Sequence, residues 1–173
     1  MDSTQVIIDL DGTLTMYPGS SSRSLYSKIF DFTHQLDISK IASDVLAARE
    51  SANLMINRYS ISQIAQLTTN ILELYNLHGK LIIFSRNFKL AAWEYLRELD
   101  LDKYFDFDRS YFWEQNKSDK DKIWPDVINE YPKMLYIDDD LVLIEKLRKL
   151  TPIEKPVKFV HVNIWLGGEL LKL

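Results

Sequence analysis

The amino-acid sequence predicts an α/β fold: a Rossmann-like three-layer sandwich on a mainly parallel sheet, with a small helical cap insertion. Short apolar runs alternate with longer segments of helical period, which argues for strand–helix–strand crossover units. The runs are rich in β-branched and aromatic residues, and none alternates cleanly with polar ones, the pattern of strands covered on both faces. Between the first and second runs there is room for roughly three helices, where a simple crossover needs one.

Taken in order, Gln5 to Ile8 is the first strand, and Tyr17-Pro18-Gly19-Ser20-Ser21-Ser22 reads as a loop. Leu25, Ile29, Phe32 and Leu36 form one helical stripe; Ile41, Val45, Ala48, Ala52 and Met55 form a second. Ile64, Thr68, Ile71 and Tyr75 form a third, opened by a capping box of Ser60 and Gln63 and closed by Gly79. This third helix is the natural crossover to a strand at Leu81 to Phe84. The surplus, 17–59, is then a helical cap inserted into a core domain of 1–16 and 60–173. Open α/β sheets bind ligands at the carboxyl ends of their strands, so the cap is placed to cover a site and to select a substrate. A helix carrying Phe88, Ala91, Ala92, Tyr95 and Leu99 follows. Then come a strand at Met134 to Ile137, a helix with Leu143, Ile144 and Leu147, and a strand at Val157 to Val162.

Composition excludes several classes. The 173 residues are 46% hydrophobic and 27% charged, as in a globular domain, with a formal net charge of −4. That charge draws the chain to neither nucleic acid nor an acidic membrane. There is no cysteine, so disulfides and thiolate metal sites are impossible. No basic segment precedes a long apolar run at the N-terminus, and nothing approaches the roughly eighteen apolar residues that cross a bilayer. The expected location is cytoplasmic.

Three strands end in polar clusters. The first reads Asp9-Leu10-Asp11-Gly12-Thr13 directly after Val6-Ile7-Ile8. Two carboxylates so close repel one another unless a cation or proton lies between them, and Gly12 lets the backbone turn sharply and approach a ligand. The second is Ser85-Arg86-Asn87 after Leu81 to Phe84. A serine there is ordinarily a helix N-cap, although a helix N-terminus also receives phosphate through its free N–H groups. The third is Asp138-Asp139-Asp140 after Met134 to Ile137. One acid suffices to cap a helix; three at the end of a buried strand suit a hard cation, and an all-oxygen set suits Mg²⁺.

Asp9-Leu10-Asp11-Gly12-Thr13, then Ser85 after an apolar run, then a lysine, then Asp138-Asp139 after another apolar run, together resemble the four ordered motifs of the haloacid-dehalogenase-like superfamily. Ser85-Arg86, Tyr104-Phe105 and Met134 to Asp139 are similar to its magnesium-dependent phosphatase branch. The helical insertion departs from that branch. The resemblance implies a phosphatase acting on a small phosphorylated substrate. Mg²⁺ would be held by Asp9, the Asp11 carbonyl and Asp138, with Asp139 beside it. Asp9 would be the nucleophile and Asp11 the acid and base. Gly12, Thr13, Ser85, Arg86 and a lysine would bind the phosphate.

The lysine is Lys117, Lys120 or Lys122. Lys120 is preferred because Trp124 and Val127, four and seven residues on, would place it at the head of a helix facing the sheet. Arg86 either clamps a second anionic group or packs at the surface. Tyr111, Phe112 and Trp113 are read as core rather than as a base-stacking platform. His34, His78 and His161 are read as structural or surface residues, and the leucines of Trp165 to Leu173 as a candidate homodimer surface. A phosphomutase shares every motif, and a catalytically silent module with the same fold is the rival from another class. Carbon–halogen cleavage has no use for Asp11.

Overall fold

The computed structural model describes residues 4–15, 43–116 and 119–161. Most of the expected cap (17–42), Lys117, His34 and the tail Trp165 to Leu173 lie outside the described residues.

The first strand, β1 (Gln5–Ile8), leads through an undescribed stretch to α1 (Val45–Ile56) and α2 (Ile61–His78). Then follow β2 (Ile82–Ile83), α3 (Lys89–Glu98), a short α4 (Trp113–Asn116), α5 (Lys120–Glu130), β3 (Met134–Asp138), α6 (Leu141–Leu150) and β4 (Val157–His161). The four strands form one all-parallel sheet in the order β2-β1-β3-β4. The chain leaves β1 to one side for β2 and returns to the other for β3. The crevice between β1 and β3 is therefore a topological switch point.

Each strand sends alternate residues to opposite faces, as its period of two requires. Val6, Ile8, Ile83, Leu135 and Ile137 pack on one side with Ala52 and Met55 of α1, Leu67, Ile71 and Leu74 of α2, and Ala92, Tyr95 and Leu96 of α3. Ile7, Ile82, Met134 and Tyr136 pack on the other with Trp124, Val127 and Ile128 of α5 and Ile144 and Leu147 of α6. The three layers are real, and β1 from Val6 on, β2 and β3 are buried on both faces; β4, the last strand of the described sheet, is only half-covered, with Val160 buried but Lys158 and His161 exposed. Each fully buried aliphatic side chain here contributes about 1.5–3 kcal/mol over its exposed state.

Local signals act where the residues place them. Ser60 and Gln63 form the reciprocal capping box of α2, and Gly79 ends that helix at φ 81°, a conformation that strains any residue with a Cβ. The face of α2 is rotated from expectation: Leu67, Asn70, Ile71 and Leu74 are its buried residues, not Thr68 and Tyr75. The core sits against the middle turns of the helix, from Leu67 to Leu74, and Thr68 instead bonds back to the carbonyl of Ile64. In α3, Leu96 is buried and Leu99 lies past the helix end as its C-cap.

Of the segment expected to be the cap, α1 is described, and it lies against α3. Ala47, Ala48 and Ala91 form a small-residue seam between them. The Tyr59 hydroxyl joins the same body, meeting that of Tyr95 at 3.2 Å. Beyond β2, residues 105–111 run alongside in parallel, bridging Leu81 to Phe105 and Phe84 to Tyr111. Phe112 at this margin is fully buried and stacks on Phe107, whereas Trp113 is partly exposed.

Candidate functional site

Parallel register brings the polar clusters together at the carboxyl edge of the sheet. Ile8 pairs with Ile137 and with Ile83, so the residues that follow each of them emerge at one level. The ladder continues one step, with Asp9 N–H donating to the Ile137 carbonyl at 2.9 Å. After Asp9 the chain doubles back: the Leu10 carbonyl accepts from Leu14 at 2.8 Å and Thr15 at 2.9 Å, and Gly12 takes φ 84°. Leu10 and Leu14 are buried, and the Tyr95 hydroxyl holds the Leu14 carbonyl at 2.9 Å. The loop is thus pinned from below by α3.

Lys120 is the first residue of α5, and Trp124 and Val127 beneath it are fully buried. Its ammonium lies 2.5 Å from Asp9 Oδ1 and 2.9 Å from Asp138 Oδ2, and 5.2 Å from the centre of the Phe84 ring. The Tyr136 hydroxyl donates to Asp138 Oδ2 at 2.5 Å. Lys120, Asp9 and Asp138 are all nearly inaccessible, so their charges act in a medium far less screening than water.

The remaining residues ring this centre. Asn87 donates its side-chain N–H to Asp11 at 3.3 Å and 3.4 Å, while its own Oδ1 accepts from Phe88 N–H. Thr13 Oγ1 meets Asp139 Oδ1 at 3.4 Å, and Gly12 N–H donates to Thr15 Oγ1 at 3.0 Å. Ser85 is buried, and its Oγ accepts from Asn87 N–H at 3.0 Å. Ser85 is not a helix cap, because α3 starts later, after Phe88. Asp140 is the cap of α6, accepting from Leu143 N–H at 3.0 Å, which leaves Asp138 and Asp139 outside that role. Arg86 is half-exposed, 3.9 Å from Asp140.

Burial is the main electrostatic influence. It pushes Asp9 well above the usual carboxylate range; the Lys120 charge opposes this, and Asp138 and Asp11 reinforce it. Asp11 is raised to about 6, again chiefly by burial, against the Asn87 hydrogen bond and the Lys120 charge. Burial alone would lower Lys120, but Asp138 and Asp9 outweigh it and hold the ammonium above its ordinary value. The Tyr136 hydroxyl stays protonated through burial and the neighbouring carboxylates.

Asp9, Asp138 and Asp139 each present an oxygen within 4.8 Å of the others. Three hard oxygen donors, two of them buried, fit a small divalent cation that retains waters on its remaining positions. Thus Asp9, Asp11, Lys120, Asp138 and Asp139 converge, with Thr13, Ser85 and Asn87 beside them, and Arg86 stands at the rim. Asn87, Tyr136 and His161 belong to the neighbourhood and were not singled out for it from the sequence. His161 Nε2 lies 2.9 Å from the Asp139 carbonyl. The signal for Tyr136 was its place two residues before Asp138, on one side of a strand, although a tyrosine in a buried strand is ordinarily core. No protein-family model matches the chain, and no curated protein matches it.

Proposed function

We propose that the chain is a Mg²⁺-dependent phosphatase of the haloacid-dehalogenase-like superfamily, hydrolysing a small phosphomonoester through Asp9. The observation that carries this reading is the meeting of Asp9, Asp138, Asp139 and Lys120 at the switch point between β1 and β3, with Asp11 one turn away. A non-catalytic role in folding calls for a balanced ion pair, and this group carries more acids than bases. Asp9, Asp138 and Asp139, with the Asp11 carbonyl, would hold the cation. Mg²⁺, when bound, supplies positive charge that keeps Asp9 ionised and offsets the charge of the phosphate.

The chemistry then falls to the residues. A carboxylate oxygen of Asp9 attacks phosphorus and forms an aspartyl-phosphate as the ester P–O bond breaks. Asp11, with a pKa of about 6, gives its proton to the departing oxygen and then takes one from the water that attacks the same phosphorus, breaking the P–O bond to Asp9 and releasing phosphate with the carboxylate restored. Asn87 holds both Asp11 oxygens, so the acid is aimed before substrate arrives. Lys120 and Ser85 would bind the transferring group's equatorial oxygens, where transition-state charge spreads.

The test is phosphate release from a panel of phosphorylated metabolites and an aryl phosphate, in Mg²⁺ and in EDTA. Mg²⁺-dependent release is expected, and Asp138→Ala should raise the half-maximal Mg²⁺ concentration at least about tenfold. Isomerised substrate without free phosphate identifies a phosphomutase. No turnover of any monoester identifies a silent module.

A further inference from the structure

A second feature lies at the opposite, amino edge of the sheet. A cavity of about 490 Å³ opens between the last turns of α2, the start of β3 and the turn into β4. Its size is that of small-molecule sites. Leu74, Leu77, Met134, Leu135, Pro156 and Val157 supply apolar walls. Leu74, Met134 and Leu135 are buried, whereas Leu77 is 76% exposed, so an apolar wall stands open to water.

The charged residues of this lining are uneven in sign: Lys133, Lys155 and Lys158 against Glu73. The lysines come from two separate segments, one leading into β3 and one into β4. Among the described residues, no carboxylate lies within ion-pair distance of the Lys133 or Lys155 ammonium. The carbonyl end of α2, at His78, carries the negative pole of that helix. An anionic head is therefore disfavoured on the α2 side and favoured on the lysine side, with an apolar body lying along Leu74 and Leu77.

We propose that this cavity is a binding site for an amphipathic organic anion: an acyl chain or ring system ending in a carboxylate. It is independent of the acid cluster, which lies at the far end of β3, and its ligand is not the phosphatase substrate. Met134 at one end of β3 lines the cavity, and Asp138 at the other belongs to the acid cluster. A carboxylate suits the rim because the lysines of the two segments set positive charge beside the apolar wall.

The experiment is titration of the full-length protein with dodecanoate below its micelle-forming concentration, followed by calorimetry, with dodecyltrimethylammonium as the cationic counterpart. Saturable one-to-one binding of dodecanoate is expected, at least about tenfold tighter than the cation. Leu77→Glu, at an exposed position, should weaken dodecanoate binding about tenfold or more by placing a carboxylate in the wall. The pair Lys133→Gln and Lys155→Gln should weaken it about threefold or more and narrow the preference over the cation. Absence of saturable binding overturns the proposal. So does equal affinity for the cation, or dodecanoate binding unchanged in both folded variants.

Discussion

Two groups of buried charge in this protein are built on opposite terms. Glu94 of α3 is nearly inaccessible and is met by Arg49 Nε of α1 at 3.2 Å and by Arg97 of its own helix at 2.7 Å. Both arginines keep much of their surface in water and also reach Glu98, at 3.7 Å and 3.3 Å, so two hydrated bases answer two acids. At the sheet's carboxyl edge Lys120 alone answers Asp9 and Asp138, with Asp11 and Asp139 adjacent. The first group pins α1 to α3 and is complete. The second buries surplus carboxylates, and burial first, neighbouring acids second, raises Asp9 and Asp11, an arrangement that folding alone would relieve by amides. A structural ion cluster neutralises itself; a functional one keeps a charge for something that arrives.

The largest break in that comparison is Asp9→Asn. It keeps the shape, removes the nucleophile and one repelling charge, and should lower kcat by at least roughly 10³-fold. In EDTA its urea midpoint should rise slightly. Retained turnover in a clean preparation sinks Asp9 as the nucleophile.

Lys120→Met removes the cation that two buried carboxylates share. Stability in EDTA should fall by about 3–5 kcal/mol, and Mg²⁺ should restore more stability than it adds to the parent. Denaturant titrations with and without Mg²⁺ check both. A response to Mg²⁺ no larger than the parent's would show that the acids do not share a cation.

Burial of these acids should also appear as a dependence on pH. Asp11 has its pKa near 6 in the folded protein and near 3.8 when ordinary, so the folded state binds the extra proton between those values. Its contribution therefore opposes folding increasingly as pH rises from about 4 to 6. In EDTA the parent should lose more stability across that window than Asp11→Asn does. Equal losses of unfolding free energy in the parent and in Asp11→Asn, measured by urea titration at the two ends of the window, would show that burial does not hold Asp11 back.

The smallest effect belongs to the complete cluster. Glu94→Gln should cost about 1 kcal/mol or less, because its partners are half-hydrated, and should leave the Mg²⁺ titration unchanged. Thermal melts and the Mg²⁺ dependence of rate measure the two readouts. A shifted Mg²⁺ requirement would mean that the α1–α3 contact reaches the acid cluster.

The sequence by itself determined the strands and the identity of the acids. The sequence locates β1 to the residue and β3 to within one, because a fully buried parallel strand leaves an apolar run bounded by polar residues; β4 is located to within one although it is only half-covered. The capping box and Gly79 mark α2 for equally local reasons. The helix faces were less legible: Thr68 and Leu67 are neighbours in a helical period, and only the seat of α2 on the sheet chose between them. Lys120 was selected by its spacing to Trp124 and Val127, but its hold on both Asp9 and Asp138 depends on α5 crossing beneath β1 and β3. Asn87 and Tyr136 were beyond local reading. An asparagine after a strand and a tyrosine within one acquire their roles from a carboxylate that the register brings beside them, and for Asn87 that carboxylate is 76 residues away. The cavity at the amino edge has the same origin. Its lysines and leucines form no motif, since only the sheet's parallel order sets the end of α2 against the starts of β3 and β4.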